Sequence, residues 1–232
     1  RRHAEALGVL RNRRFQPWEG GEGKVTEQYV VSLVQLAREA IAEERYEEAI
    51  NRLESARSYP DNLGEGKLPI AAEHNIFYYL GRAHEELGNR GRARDWFEKG
   101  AVGGTELTRP QYYNDQSPEM TFYQGLACRG LGQDEKARSI FTRLVEHGEE
   151  QIEAEGSLDY FAVSLPDFLV FEPDLNARTS IHGHYVAALS LLGLGSEEEA
   201  KHHFEAVLEL DPSHLGAALH HPKGATREEL QA

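Results

Sequence analysis

The groups in this chain with chemistry to offer are eleven histidines, one cysteine and 39 acidic side chains. Histidines recur close together at His182 and His184, His202 and His203, and His220 and His221. Two helical residues share a face, and so a metal ion, when they stand three or four apart. These pairs stand one or two apart and point away from each other, so no metal site is expected. His182 fits a helix face with Tyr185 better than it fits a zinc site, and His202 is expected to face solvent. Cys128 has no second thiol to pair with, and its position turned toward a partner helix reads as a small buried apolar group. The glycine-rich stretch from Gly20 to Lys24 would be a phosphate loop only with Gly at position 18 and Ser or Thr after the lysine. Trp18 and Val25 occupy those places, so the stretch reads as a hinge anchored by Trp18. No nucleophile motif appears and no carboxylate pair stands out. The chain is read as a non-enzyme that needs no cofactor.

Composition narrows the partner class. The 232 residues are 40% hydrophobic and 28% charged, with a formal net charge of −14. A core is affordable, and wholesale disorder is not expected. A surface this acidic disfavours nucleic acid and anionic membranes as partners. The one dense basic cluster, Arg11, Arg13 and Arg14, reads as a solvated helix end. The longest apolar run, Tyr185 to Leu194, is too short to span a bilayer. The single thiol suits a reducing compartment, and a cytoplasmic location is expected. The sequence opens on Arg1, and Met120 is its only methionine. It is read as a fragment of a longer protein.

The elements that position these groups come from internal periodicity. The clearest unit runs through Phe77, Leu80, Gly81, His84, Gly88, Ala93, Phe97 and Gly100. Apolar residues three and four apart form one stripe on each of two helices, with a glycine at the turn between them. The same frame holds Leu33, Leu36, Ala37, Ala40, Ala49, Leu53 and Ala56, then Gly125, Cys128, Gly132, Ala137, Phe141 and Leu144. A fourth copy holds Ala187, Ala188, Leu191, Gly195, Ala200, Phe204 and Val207. Gln124 stands where the frame wants Leu, and Thr121 and His184 where it wants a large residue. A two-helix unit cannot cover its own stripe, so the units must stack. Ser196 with Glu199 reads as a capping box, and Ser117 before Pro118 as a helix start.

This grammar resembles the tetratricopeptide repeat, which implies an all-α, right-handed solenoid of helix pairs. The expected array spans 26–212, with pairs near 26–60, 73–105, 117–148 and 180–212. A partial unit and connector at 1–25 precede it, and a capping helix and tail at 213–232 follow. The marker alanines Ala49, Ala93, Ala137 and Ala200 lie 44, 44 and 63 residues apart, against about 34 for the consensus. The linkers Asp61 to Pro69 and Gly103 to Ser117 take up the first two excesses. The third is an apolar insertion at 157–176, centred on Leu158 to Leu175. It either packs on the array, or lines the groove or joins two copies into a homodimer. The stretch Gln16 to Lys24, the long linkers and Tyr112 to Asp115 also look like the C-terminal repeat region of large bacterial tetratricopeptide proteins that carry an N-terminal domain of unknown function.

The resemblance further implies a protein-binding scaffold whose first helices line a concave face. Its ligand-facing positions map to Val34, Gln35 and Arg38, to Asn75, Tyr78, Tyr79, Arg82 and Glu85, to Glu119, Phe122, Tyr123 and Arg129, and to His182, Tyr185, Val186 and Leu189. From these, Arg38, Asn75, Tyr78, Arg82, Phe122, Arg129, His182 and Tyr185 form the candidate peptide site. Rings supply rigid apolar area and arginines fork carboxylates. The same residues could equally be inter-repeat core and ordinary ion pairs. Two other functions stay open at this stage: an accessory region of a larger enzyme, and a self-association module.

Overall fold

The computed structural model describes residues 2–18, 21–69, 71–104, 117–154 and 175–222. Every regular element among them is helical. Helix α1 (His3–Asn12) is followed by α2 (Lys24–Ala42), α3 (Tyr46–Ala56) and a 3-10 turn at Asp61–Leu63. Next come α4 (His74–Glu86), α5 (Arg90–Gly100), α6 (Pro118–Gly130) and α7 (Asp134–Glu153). The described chain closes with α8 (Leu175–Leu194), α9 (Glu197–Leu210) and the short α10 (Leu215–His220). The apolar run Leu158 to Phe171 lies outside the described residues.

Helices α2 to α9 pack as four antiparallel pairs, and one turn is used four times. Glu44, Gly88, Gly132 and Gly195 all have positive φ, at 61°, 73°, 73° and 85°. The residue after each donates its amide five residues back: Arg45 to Ala40 at 2.7 Å, Asn89 to His84 at 2.8 Å, Gln133 to Cys128 at 2.9 Å and Ser196 to Leu191 at 2.9 Å. This Schellman-type closure satisfies carbonyls that the first helix of each pair leaves unpaired. Ser196 makes no side-chain capping bond, and its φ of −86° and ψ of 66° lie outside the extended region that side-chain capping requires. The expected capping box with Glu199 is not formed. Ser117 is extended and precedes Pro118, but its side chain also makes no cap bond.

Glycine and phenylalanine set the closeness of the helices. A Cβ on Gly81 would strike the Phe97 ring, and one on Gly130 in the next pair would meet the same ring at 2.8 Å. Phe141 is held in the same way, between Gly125 and Gly193, where an added Cβ would stand 2.5 Å from the ring in both cases. Each ring therefore fills the space that two absent side chains leave open, one in its own pair and one in the next. The equivalent positions are Leu53 and Ala37 in the first pair and Phe204 and Ala188 in the last, all fully buried. Helices α7 and α8 cross on a second small pair, Gly148 and Gly183. There an added Cβ would meet backbone at 2.6–2.8 Å.

Gln124 keeps its place in the core by being useful there. It is buried, and its amide donates to the carbonyls of Ala101 at 3.4 Å and Gly103 at 3.1 Å. It thus satisfies the end of α5, which a leucine would leave bare. Asn62 does the same for α1, donating to the carbonyls of Leu10 and Arg13 at 2.7 and 2.6 Å.

The pairs contact one another asymmetrically. The first helices α2, α4, α6 and α8 touch in succession. Among the described residues no comparable contact joins α3 to α5, α5 to α7 or α7 to α9. The first helices therefore lie on the inside of the curve. Their inner face is the concave surface of the array.

Candidate functional site: the inner face

Three of the inner helices contribute rings to the inner face. Tyr78 and Tyr79 come from α4, Phe122 and Tyr123 from α6, and Tyr185 from α8. Ring centroids are 5.1 Å apart for Tyr78 and Tyr79, 5.6 Å for Tyr79 and Tyr123, and 5.2 Å for Phe122 and Tyr123. At the α2 end, the guanidinium of Arg38 lies 5.8 Å from the centre of the Tyr79 ring, within cation–π range. Nη1 of Arg38 also receives support from Gln35, whose Oε1 accepts its hydrogen at 2.9 Å. Glu119, in the first turn of α6, accepts a hydrogen bond from the Tyr185 hydroxyl at 3.1 Å.

The candidate residues do not all converge. Arg38, Tyr78, Phe122 and Tyr185 belong to this cluster. Asn75 is buried and turns its Oδ1 to the amide of Ile76 at 2.8 Å. Arg82 stays half exposed and pairs with Glu85 at 3.5 Å and Glu86 at 3.0 Å on its own helix. Arg129 reaches across to the carbonyl of Gly193 and lies 5.2 Å from the Phe141 ring, at the seam between pairs. His182 faces α7, where its ring stands 6.5 Å from His147.

Burial tunes the ionisable members. The hydroxyls of Tyr123 and Tyr185 are pushed well above the usual phenol range, chiefly by burial and further by neighbours including Glu119, so both remain protonated. Cys128 is fully buried, and burial raises its thiol pKa, as suits an inert core group. At the glycine stretch, the amide of Gly23 donates to a carboxylate oxygen of Glu65 at 2.9 Å. An acid of the chain itself therefore sits where a phosphate loop would hold its anion. Trp18 is 52% exposed, its ring lying over Gly21 rather than anchored in a core. Arg11, Arg13 and Arg14 are exposed. No helix among the described residues is long and apolar enough to cross a membrane.

Histidine spacing along the sequence missed a contact between helices. His184 of α8 and His203 of α9 meet with their Nδ1 atoms 2.9 Å apart. Burial lowers both pKa values, so one neutral ring donates to the other. No group of three metal-ligating side chains is found among the described residues.

Tetratricopeptide repeat models match residues 34–104 and residues 181–214. The chain carries tetratricopeptide repeats. Tetratricopeptide arrays in general mediate protein–protein interaction and are non-catalytic modules. The first match holds the C-terminal part of α2 and all of α3, α4 and α5, and the second holds most of α8 and all of α9. Helices α6 and α7, between the matches, repeat the same turn at Gly132 and the same ring seat at Phe141.

Proposed function

We propose that this tetratricopeptide array is a scaffold that holds a peptide or a segment of a partner protein on the inner face of α2, α4, α6 and α8. The observation that carries the reading is the row of Arg38, Tyr79 and Tyr123, one side chain each from α2, α4 and α6 in successive contact, with Tyr185 of α8 joined to Tyr123 through His220. Rigid rings give contact area at low entropic cost, and a partly buried arginine gives a directional donor; binding hot spots concentrate on these residue types. The acidic surface elsewhere favours a partner that is not itself strongly acidic.

The test compares proteins retained from a cell lysate by the wild-type chain and by the Arg38→Ala/Arg82→Ala variant, with identification by mass spectrometry. The reading expects a specific partner to be lost from the variant while its helical circular dichroism stays intact. Equal recovery by a folded variant overturns it.

A further inference from the structure

The inner face already holds a ligand, and that ligand is part of the chain. Helix α10 packs on α8 and α9, as a terminal cap would, but its far end turns into the aromatic row. His220 is buried there, with Phe122 edge-on at 6.3 Å and the rings of Tyr123 and Tyr185 at 6.1 and 6.3 Å. The backbone carbonyl of Leu219 accepts from Arg38 at 3.3 Å. Gly216 lies against the Tyr185 hydroxyl so closely that an added Cβ would collide with it.

Hydrogen bonding defines the state of the seated imidazole. The carbonyl of Gly216 stands 2.9 Å from His220 Nδ1 and can only accept, so Nδ1 carries the hydrogen. Nε2 is then an acceptor, and it takes the Tyr123 hydroxyl hydrogen at 2.9 Å. Having donated, Tyr123 accepts from Tyr79 at 3.3 Å. Tyr185 spends its hydrogen on Glu119. The seat therefore reads a neutral imidazole with a bare Nε2, four residues after a glycine, with the carbonyl of the residue before it turned to Arg38. The residues from Leu215 to Leu219 carry no charge in a chain that is 28% charged.

We infer that residues 214–221 are an internal ligand of the groove, and that the external partner is a short helical segment of the same chemistry, Gly-x-x-x-His with uncharged apolar residues between, which must displace them. This rests on the groove reading above. Two-state competition of this kind lowers apparent affinity by the fraction of molecules in which the seat is open.

The test uses the full chain and a fluorescently labelled synthetic peptide copying residues 213–222. Two variants should unseat the segment without removing groove residues. Gly216→Leu collides with Tyr185 while favouring the helix itself, and Ala217→Arg forces a long side chain into a fully buried site. Hydrogen exchange at 215–221 reports opening, and fluorescence anisotropy reports binding. We expect exchange to quicken only in that segment and the peptide to bind at least tenfold tighter than to the wild type. Adding Arg38→Ala should then abolish the gain. Unchanged exchange in both variants, exchange that quickens throughout the array, or an opened segment without tighter binding each overturns the inference. If the opened variants retain a lysate partner but not the peptide, the groove reading survives and only the internal ligand fails. If they retain neither, both fall.

Discussion

Arg38, in the first helix pair, donates its guanidinium hydrogen to the backbone carbonyl of Leu219, a residue 181 positions further along the chain, at 3.3 Å. The contact ties the start of the array to its end across the inner face. A hydrogen bond from a charged donor contributes about 1.5–3 kcal/mol. Arg38→Ala should therefore loosen the α10 segment, speeding amide exchange at His221, whose hydrogen is held by Ala217 at 2.9 Å, on the order of tenfold or more. Arg82→Ala is the contrast. Its partners Glu85 and Glu86 are solvent-accessible, so its loss should change global stability by less than about 1 kcal/mol and leave that amide unchanged.

The seat of Phe97 can be tested from both sides. Gly81→Ala places a methyl into the ring and should cost about 1–3 kcal/mol in a denaturant melt, the usual range for overpacking. Phe97→Leu alone should also destabilise, by leaving space. The two together should cost less than their sum, because the methyl then occupies room that the smaller side chain vacates. Strict additivity would mean that the close crossing is not what limits the site.

The turn of the first pair stores strain that the others avoid. Glu44 has a φ of 61° where the equivalent positions carry glycine. The left-handed region costs an ordinary residue roughly 1–2 kcal/mol, part of which glycine returns through its looser unfolded chain. Glu44→Gly should stabilise by about 0.5–1 kcal/mol. A thermal melt that rises by a degree or more would show it, and a fall would contradict it.

Acid should weaken the array through its histidines. His74, His84, His184, His203, His214 and His220 all have pKa values lowered from the ordinary 6.5, each mainly by burial. The unfolded chain takes up protons first as pH falls, so stability is full above about 6.5 and declines below it, down to the depressed folded values. Around His220 the groups that face it are Arg38 from α2, Glu119 and Tyr123 from α6, Tyr185 from α8, and His214 beside it. Glu119, 3.9 Å from Nε2, moderates the loss, while Arg38 adds to it. Thermal melts should be flat from pH 8 to 7 and fall between pH 6.5 and 5. Replacing His184 by Phe should shallow the fall, since one member of the 2.9 Å pair no longer needs to stay neutral.

Much of this architecture was legible from spacing alone. A helix repeats its face every three or four residues, so Leu80, Ala93 and Phe97 reveal the stripe, and Gly88, Gly132 and Gly195 mark turns that only a residue tolerant of positive φ closes without strain. The inner positions of Arg38, Tyr78 and Tyr185 follow from the resemblance once the marker alanines set the register. Other placements did not follow. Arg129 and His182 occupy inner-face register positions, yet they face the seams at Gly193 and His147, because a long side chain takes whichever neighbour it can reach.

The sequence by itself determined the helix pairs and their stacking, since each is a matter of residues a few places apart. Tertiary structure alone decided what rests on that face. His220 and His221 invite attention only as adjacent histidines, and Leu215 to Leu219 only as a short cap. That His220 meets Tyr123, or Leu219 meets Arg38, depends on the summed curvature of four stacked pairs, which no local spacing encodes.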